Sequence, residues 1–374
     1  MLQIFILGAL ILGVIQLCNY SASNGHKDLN ISRQVNEKLI PIGEKFKLTL
    51  KIENRKRLPI MFMLVEQKIP EELSFCDGAK TELCVSEKWH ISRYAMGKYQ
   101  RRNRSYTMTG EKRGAYNVRG INVRIGDPLG LCIETKEMED WVEILICPKV
   151  KSIDSLSFED TSFVGDNTVR RWIHKDPLYI RGVREYCVED RMKDINWKAS
   201  LKADKLMVKE YDYTSDNQLV MIINVQCGDP YWGCLRPDAV DKAIDIALAL
   251  SSKALNENIP TGIWSNANMI YCKGNGPLDL MPRRGALESL IEYCTRIHKV
   301  PRQEFSIYLQ SKLSYLNADT TYVIITYYLN DKDIKVVREM IRRGYKVKII
   351  DVSENGIEVN IKGVQTIRYK GEVK

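Results

Sequence analysis

The densest run of groups able to do chemistry lies between Val183 and Asp212. There Val-Arg-Glu-Tyr-Cys-Val-Glu-Asp-Arg-Met-Lys-Asp-Ile-Asn-Trp-Lys-Ala-Ser-Leu-Lys-Ala-Asp-Lys-Leu-Met-Val-Lys-Glu-Tyr-Asp interleaves charge with aromatic and apolar side chains. Three uses of this block are open. Arg184, Glu185, Tyr186, Asp190, Arg191, Asp194 and Lys198 can form a docking face whose charges choose a protein partner, with Trp197 as aromatic anchor. Alternatively, the charges satisfy one another at the rim of a clasp between domains, with Ile195 and Trp197 filling the seam. For Ile195 and Trp197 the clasp is the expectation; for the charges the two readings stand level. The third use is a hydrolase site around Asp190, Asp194 and Cys187. Arg184 and Arg191 flank Cys187 and can lower its thiol pKa, whereas its plain reading is a small buried residue.

Recognisable catalytic patterns are missing elsewhere. The chain has no Gly-x-Ser-x-Gly elbow, no phosphate-cradling glycine loop, and only four separated histidines, His26, His90, His174 and His298. Ten cysteines are scattered without a Cys-x-x-Cys pair, so adjacent ligands build no zinc constellation, and such unpatterned thiols suit a reducing compartment. The formal charge of +9 favours acidic partners. The cations are spread out, and no zinc-finger, helix-turn-helix or stacking pattern accompanies them, so nucleic acid is not expected. Lys98, Arg101, Arg102 and Arg104 with Tyr99 and Tyr106 can touch lipid headgroups or an acidic partner, or simply form the solvated face of an edge strand.

The elements that must position the block read as follows. Residues 1–20 are expected to be a transmembrane helix: Leu2 to Leu17 is apolar apart from Gln3 and Gln16, about the length a hydrocarbon core needs. A cleaved signal peptide is the competing reading, although no Lys or Arg precedes the run. Lys27, Arg33 and Lys38 would place the following chain in the cytoplasm, giving a single-pass protein of the cell membrane. Residues 30–150 are expected to be an all-β, Ig-like sandwich, since Phe46, Leu48, Leu50 and Ile52 alternate with polar residues and short apolar runs recur between glycines. Residues 151–217 read as a linker carrying the charged block. Beyond Gln218, apolar strands alternate with helical stripes, which predicts an α/β domain over 218–374 with a mainly parallel sheet.

The central block resembles Arg-x-Tyr-x-x-Gly-Asp-x-x-x-x-Ile-x-Trp-Lys-x-Ser-Ala-Arg, the signature of the bacterial domain-of-unknown-function family 58. Arg184, Tyr186, Asp190, Ile195, Trp197, Lys198, Ala199 and Ser200 carry the match. Arg113-Gly114-Ala115-Tyr116, Asp127-Pro128-Leu129-Gly130 and Ile144 to Pro148 also resemble the family's upstream pattern, and the likeness spans about residues 100 to 270. It implies a von Willebrand factor A-like (Rossmann-like) fold for the α/β domain and association with a MoxR-type AAA+ ATPase. The implied function is a membrane-anchored, non-enzymatic adaptor in chaperone-assisted assembly or envelope stress. In that fold an Asp-x-Ser-x-Ser after the first strand holds a divalent ion. Here the stretch is Asn224-Val225-Gln226-Cys227-Gly228. An amide stands for the carboxylate and neither serine remains, so the site at Asn224, Gln226 and Gly228 is read as degenerate, with no metal and no other cofactor implied. The family's glycine before the aspartate is Glu189 here, which puts that turn in doubt.

Overall fold

The computed structural model describes residues 13, 15–16, 19–20, 23–76, 81–84, 87–127, 132–158, 180–187, 190, 192–211, 218–272, 274, 276–353, 356, 361 and 363–372. They fall into two units, one of residues 1–149 with 270–275, the other of 150–269 with 276–374.

Alternation builds the first unit. Its strands are β1 (Leu29–Val35), β2 (Leu39–Pro41), β3 (Lys45–Asn54), β4 (Ile60–Ile69), β5 (Leu73–Phe75), β6 (Thr81–Cys84), β7 (Glu87–Met96), β8 (Arg101–Gly110), β9 (Gly114–Gly126) and β10 (Ile133–Cys147). They form a four-stranded sheet, β1-β3-β8-β5, and a six-stranded sheet, β2-β10-β9-β4-β7-β6. Phe46, Leu48, Leu50 and Ile52 turn inward from β3 and meet Met63, Val65, Val123 and Ile125 of the other sheet in one core. Period-two patterning thus sets the register, because a slip of one residue would expose the whole set. Of the basic run, Lys98, Arg101, Arg102 and Arg104 are exposed. Arg101 pairs with Glu53 at 2.7 Å and the Arg104 guanidinium lies over Tyr106 at 5.2 Å.

The second unit contains β11 (Leu156–Phe158), β12 (Ile180–Glu185), α1 (Trp197–Ala203), β13 (Met207–Tyr211), β14 (Gln218–Ile223), α2 (Pro237–Asn256), β15 (Thr261–Ser265), β16 (Ala267–Met269), β17 (Asp279–Arg283), α3 (Leu287–Arg296), β18 (Ile297–Pro301), α4 (Phe305–Lys312), β19 (Thr320–Thr326), α5 (Asp331–Arg342), β20 (Lys346–Asp351) and β21 (Gln365–Glu372). Its main sheet runs β11-β21-β20-β19-β14-β15-β17. The five inner strands are parallel, while β11 and β17 join antiparallel at the two edges. At one edge Gly262 lets the backbones meet closely, since a Cβ there would lie 2.5 Å from the Leu280 carbonyl oxygen. Inner strands buried on both faces read as continuous apolar runs, as Leu219 to Ile223 does. One face packs on α2 and α3 through Met221, Ile244 and Leu290; the other packs on α4 and α5 through Ile222, Phe305 and Val337.

Two expectations need correction. Among the described residues no helix is long and apolar enough to cross a membrane. Of residues 1–20, only 13, 15, 16, 19 and 20 are described; these are helical and exposed, and a turn follows from Asn24. The transmembrane helix and the single-pass membrane location drawn from it are therefore overturned. The fold class is overturned with them. The described chain is mostly strand with few helices, a sheet-rich fold with antiparallel edges and small separate ladders, rather than a membrane helix followed by a von Willebrand factor A-like, Rossmann-like α/β domain. The expectation read residues 218–374 as apolar strands alternating with helical stripes and did not include the further strands β16, β17, β18 and β21. Residues 159–179, 188–189, 191 and 212–217 of the expected linker, Glu189 and Arg191 among them, together with residues 128–131, lie outside the described residues.

Candidate functional site

The charged block folds as a small ββα module. β12 and β13 pair antiparallel, with Arg184 opposite Val208 and Glu185 opposite Met207, and α1 is inserted between them in sequence. Asp190 organises the turn after β12. Its carboxylate accepts from both guanidinium nitrogens of Arg184, at 2.7 and 2.5 Å, and from the Cys187 N–H at 2.8 Å. A bidentate pair that also captures a backbone donor fixes both the arginine and the turn. Asn196 caps α1 by accepting from the Ala199 N–H at 3.2 Å, while its own N–H donates to the Met207 carbonyl at 2.8 Å. The Ser200 hydroxyl donates to the Asn196 carbonyl at 2.9 Å and accepts from the Met207 N–H at 2.8 Å, lacing the helix to β13. Ile195 bridges Val208, and both are buried. Tyr186 joins through its backbone, its N–H donating to the Leu206 carbonyl at 2.9 Å.

Arg184, Tyr186, Asp190, Ile195 and Ser200 are thus parts of the module's own scaffold. Trp197 is not. Within the module Trp197 is 63% exposed, whereas Ile195 is buried. The helix is inverted relative to an ordinary amphipathic one. None of its residues is buried, its half-buried positions are the small Ala199 and Ser200, and Leu201 is 86% exposed. Trp197 and Leu201 stand one turn apart, as do Lys198 and Lys202, so an apolar strip runs beside a cationic one. Met192 (73%) and Leu206 (48%) of the same module are exposed as well, and so is Lys193, the chain neighbour of Met192. Glu185 is tied to Lys205 at 3.0 Å on the open surface, a contact of little energetic weight. Sequence reasoning singled out Trp197 and Lys198 but missed Met192, Leu201 and Lys202; the i, i+4 repeats of apolar and basic residues were the signal available.

For the hydrolytic reading, both Asp190 oxygens are occupied in holding Arg184, and Cys187 meets Asp190 through its N–H, with its side chain exposed. Asp194 lies in the single 3-10 turn Met192–Asp194.

The expected degenerate metal position lies where β14 ends. The chain leaves β14 for β15 on one side and later returns to β19 on the other, an arrangement that opens a crevice at the strands' C-terminal ends. Amides close it. The Asn224 side-chain nitrogen donates to the Thr326 hydroxyl at 2.9 Å and the Tyr328 carbonyl at 3.0 Å, and its oxygen accepts from the Gln226 N–H at 3.0 Å. The Gln226 amide donates to the Gly228 carbonyl at 3.0 Å and accepts from the Phe305 N–H at 2.9 Å, where α4 begins. Asn266, which sequence reading missed, accepts from the Val225 N–H at 2.9 Å. Each amide oxygen faces an N–H, so the donor set is neutral and internally matched, unlike the converging anionic oxygens a hard cation needs. Among the described residues no group of three or more His, Cys, Asp or Glu is arranged to hold a metal. After the later strand β20, the Asp351 carboxylate accepts from the Ser353 N–H at 2.8 Å, a turn contact.

Beside this edge is a cavity of about 50 Å³, lined by Ser265, Asn266, Asp279, Arg302, Tyr308 and Lys312 among others. The Asp279 carboxylate accepts from both the Tyr308 hydroxyl and the Lys312 ammonium. Burial, and then the Asp279 charge, push the Tyr308 hydroxyl well above the usual tyrosine range, so it stays a proton donor to Asp279. The space suits a water molecule or two rather than a metabolite.

No protein-family model matches the chain. Over 244 residues it is 21% identical to the uncharacterized protein YeaD of Bacillus subtilis, covering 64% of this chain and 56% of that protein. The chain therefore spans just over half the length of that relative. Among solved structures, the CARDB domain of a Pyrococcus furiosus protein is similar over 32% of this chain and 87% of its own, at 11% identity and a TM-score of 0.23. The cohesin module from a Clostridium perfringens family 33 glycoside hydrolase is similar over 29% of this chain and 96% of its own, at 13% identity and a TM-score of 0.20. The major pilin SpaD from Corynebacterium diphtheriae covers 31% of this chain and 34% of its own, at 7% identity and a TM-score of 0.23. Scores this low decide neither fold nor chemistry. The von Willebrand A-like label and the MoxR association gain no support from these comparisons.

Proposed function

We propose that this chain is a non-enzymatic interaction protein that docks a protein partner through the outward face of α1. The observation that carries the reading is the inverted helix: Trp197 and Leu201 face solvent while Ala199 and Ser200 face the module. An exposed Trp–Leu strip is a costly surface unless something covers it. Lys198 and Lys202 beside it steer that partner toward an acidic rim. Arg184, Asp190, Asn196 and Ser200 hold the face rigid, so ordering it on binding costs little. The partner class carried over from the family resemblance is a MoxR-type AAA+ ATPase, which would make the chain an adaptor in chaperone-assisted assembly.

The test places a photo-crosslinking phenylalanine analogue at Leu201 and, separately, at Ala318, which is exposed in the loop before β19. Each labelled protein is mixed with the purified MoxR-type ATPase of the same cell. A crosslink from position 201 and none from 318 supports the proposal; equal or absent crosslinking from 201 refutes it.

A further inference from the structure

We propose that Cys227 and Cys234 form a reversible disulfide that closes the loop between β14 and α2. The two residues bracket Gly228-Asp229-Pro230-Tyr231-Trp232-Gly233 at the C-terminal edge of the main sheet. Cys234 folds back onto the start of this loop: a Cβ on Gly228, the neighbour of Cys227, would lie 2.8 Å from the Cys234 Cβ and 3.8 Å from its sulfur. From the other side, the Arg236 N–H, two residues past Cys234, donates to the Cys227 sulfur. The Cys227 thiol in turn reaches the Val225 carbonyl at 3.5 Å. Both ends of the loop therefore converge on one thiol pair, with half-buried Tyr231 packed edge-on against exposed Trp232 at the apex.

The environments assign the order of events. Cys234 is half-buried and accessible to a small oxidant, whereas Cys227 is buried. Hydrogen peroxide would oxidise Cys234: its S–H and the O–O bond break, an S–O bond forms, and water leaves a sulfenic acid. The Cys227 sulfur then attacks the Cys234 sulfur. An S–S bond forms, the S–O bond breaks, and the departing oxygen leaves as a second water with the Cys227 proton. In sum, two thiols and one peroxide give one disulfide and two waters. Burial pushes the Cys227 thiol up to about 11, with the nearby Cys234 adding to the rise and Arg236 opposing it. That makes Cys227 the resolving thiol and slows the closing step at neutral pH, so closure quickens as pH rises.

The full-length protein is treated with hydrogen peroxide, alkylated and digested. The peptide spanning both cysteines should lose two hydrogens and resist alkylation, and dithiothreitol should restore both thiols. Cys234→Ser should leave Cys227 as a thiol. Cys227→Ala should strand Cys234 as a sulfenic acid that dimedone traps. The proposal is overturned if Cys234 in the wild-type protein resists peroxide, proceeds to sulfinic acid beside a free Cys227, or pairs with another cysteine.

Discussion

The two kinds of residue in the ββα module predict opposite phenotypes, and Asp190→Ala against Trp197→Ala separates them. Asp190→Ala removes the acceptor of two Arg184 nitrogens and of the Cys187 N–H. The Arg184 side chain is 40% exposed, so water recovers much of that half, worth roughly 1 kcal/mol or less. The backbone donor adds about 1 kcal/mol, for a total near 2 kcal/mol. Trp197 makes no comparable tie and is 63% exposed, so its truncation should cost less than about 0.5 kcal/mol. The assay is native-state hydrogen exchange at the module's own amides: Tyr186 and Asn196, bonded to the Leu206 and Met207 carbonyls, and Met207, bonded to the Ser200 hydroxyl. A loss of 2 kcal/mol corresponds to roughly 30-fold faster exchange in Asp190→Ala, with Trp197→Ala within about twofold of wild type. Equal acceleration by both substitutions would mean that Trp197 is part of the scaffold, and the docking argument would fall.

Three further outcomes follow from the same geometry. Burial pushes the Asp333 carboxyl from its usual 3.8 up to about 6 at the start of α5, where it is fully buried. Its protonated form contributes stability present in full below pH 3.8 and lost as pH rises through about 6, which amounts to roughly 3 kcal/mol. Asp333→Asn should therefore gain about that much over wild type at pH 8 and nothing at pH 3.5 in urea unfolding, whereas a constant offset would contradict the assignment. Asn224→Asp replaces the donor facing the Tyr328 carbonyl by an oxygen and should cost about 2–3 kcal/mol in the same measurement at pH 7, a cost that vanishes in acid; an unchanged midpoint would be the contrary result. Lys198→Glu with Lys202→Glu should leave unfolding within about 0.5 kcal/mol of wild type. The pair should also flatten the salt dependence of ATPase association, which stopped-flow fluorescence would report.

What could be read from the chain divides along a physical line. β3 was visible because Phe46, Leu48, Leu50 and Ile52 each bury one face, and β14 because Leu219 to Ile223 is buried on both. The end of α5 was readable because Gly344, with φ +87°, follows its last turn. α1 was not visible. Seven residues give barely two turns, so Trp197–Leu201 and Lys198–Lys202 offer only one i, i+4 pair each, and its cap Asn196 sits inside a run of charges. Trp197 was expected to fill a seam because large aromatics usually seek burial, and exposure is a property of the fold around it. The role of Asn224 was readable only as a missing carboxylate. Its partners Thr326 and Tyr328 lie about a hundred residues away, and local spacing cannot show them. The apolar run at residues 2–17 led to a membrane helix through composition alone, and no helix among the described residues is both long and apolar enough to cross a membrane.

The claim on which the rest depends is that α1 presents its apolar strip to a protein. Titration calorimetry of the full-length chain against the purified MoxR-type ATPase measures this directly, for wild type, Trp197→Ala and Leu201→Ala. Each substitution should weaken association by about 30-fold or more, as loss of a central aromatic or aliphatic anchor does, with unfolding midpoints unchanged. Affinities within twofold of wild type for both variants would contradict the account.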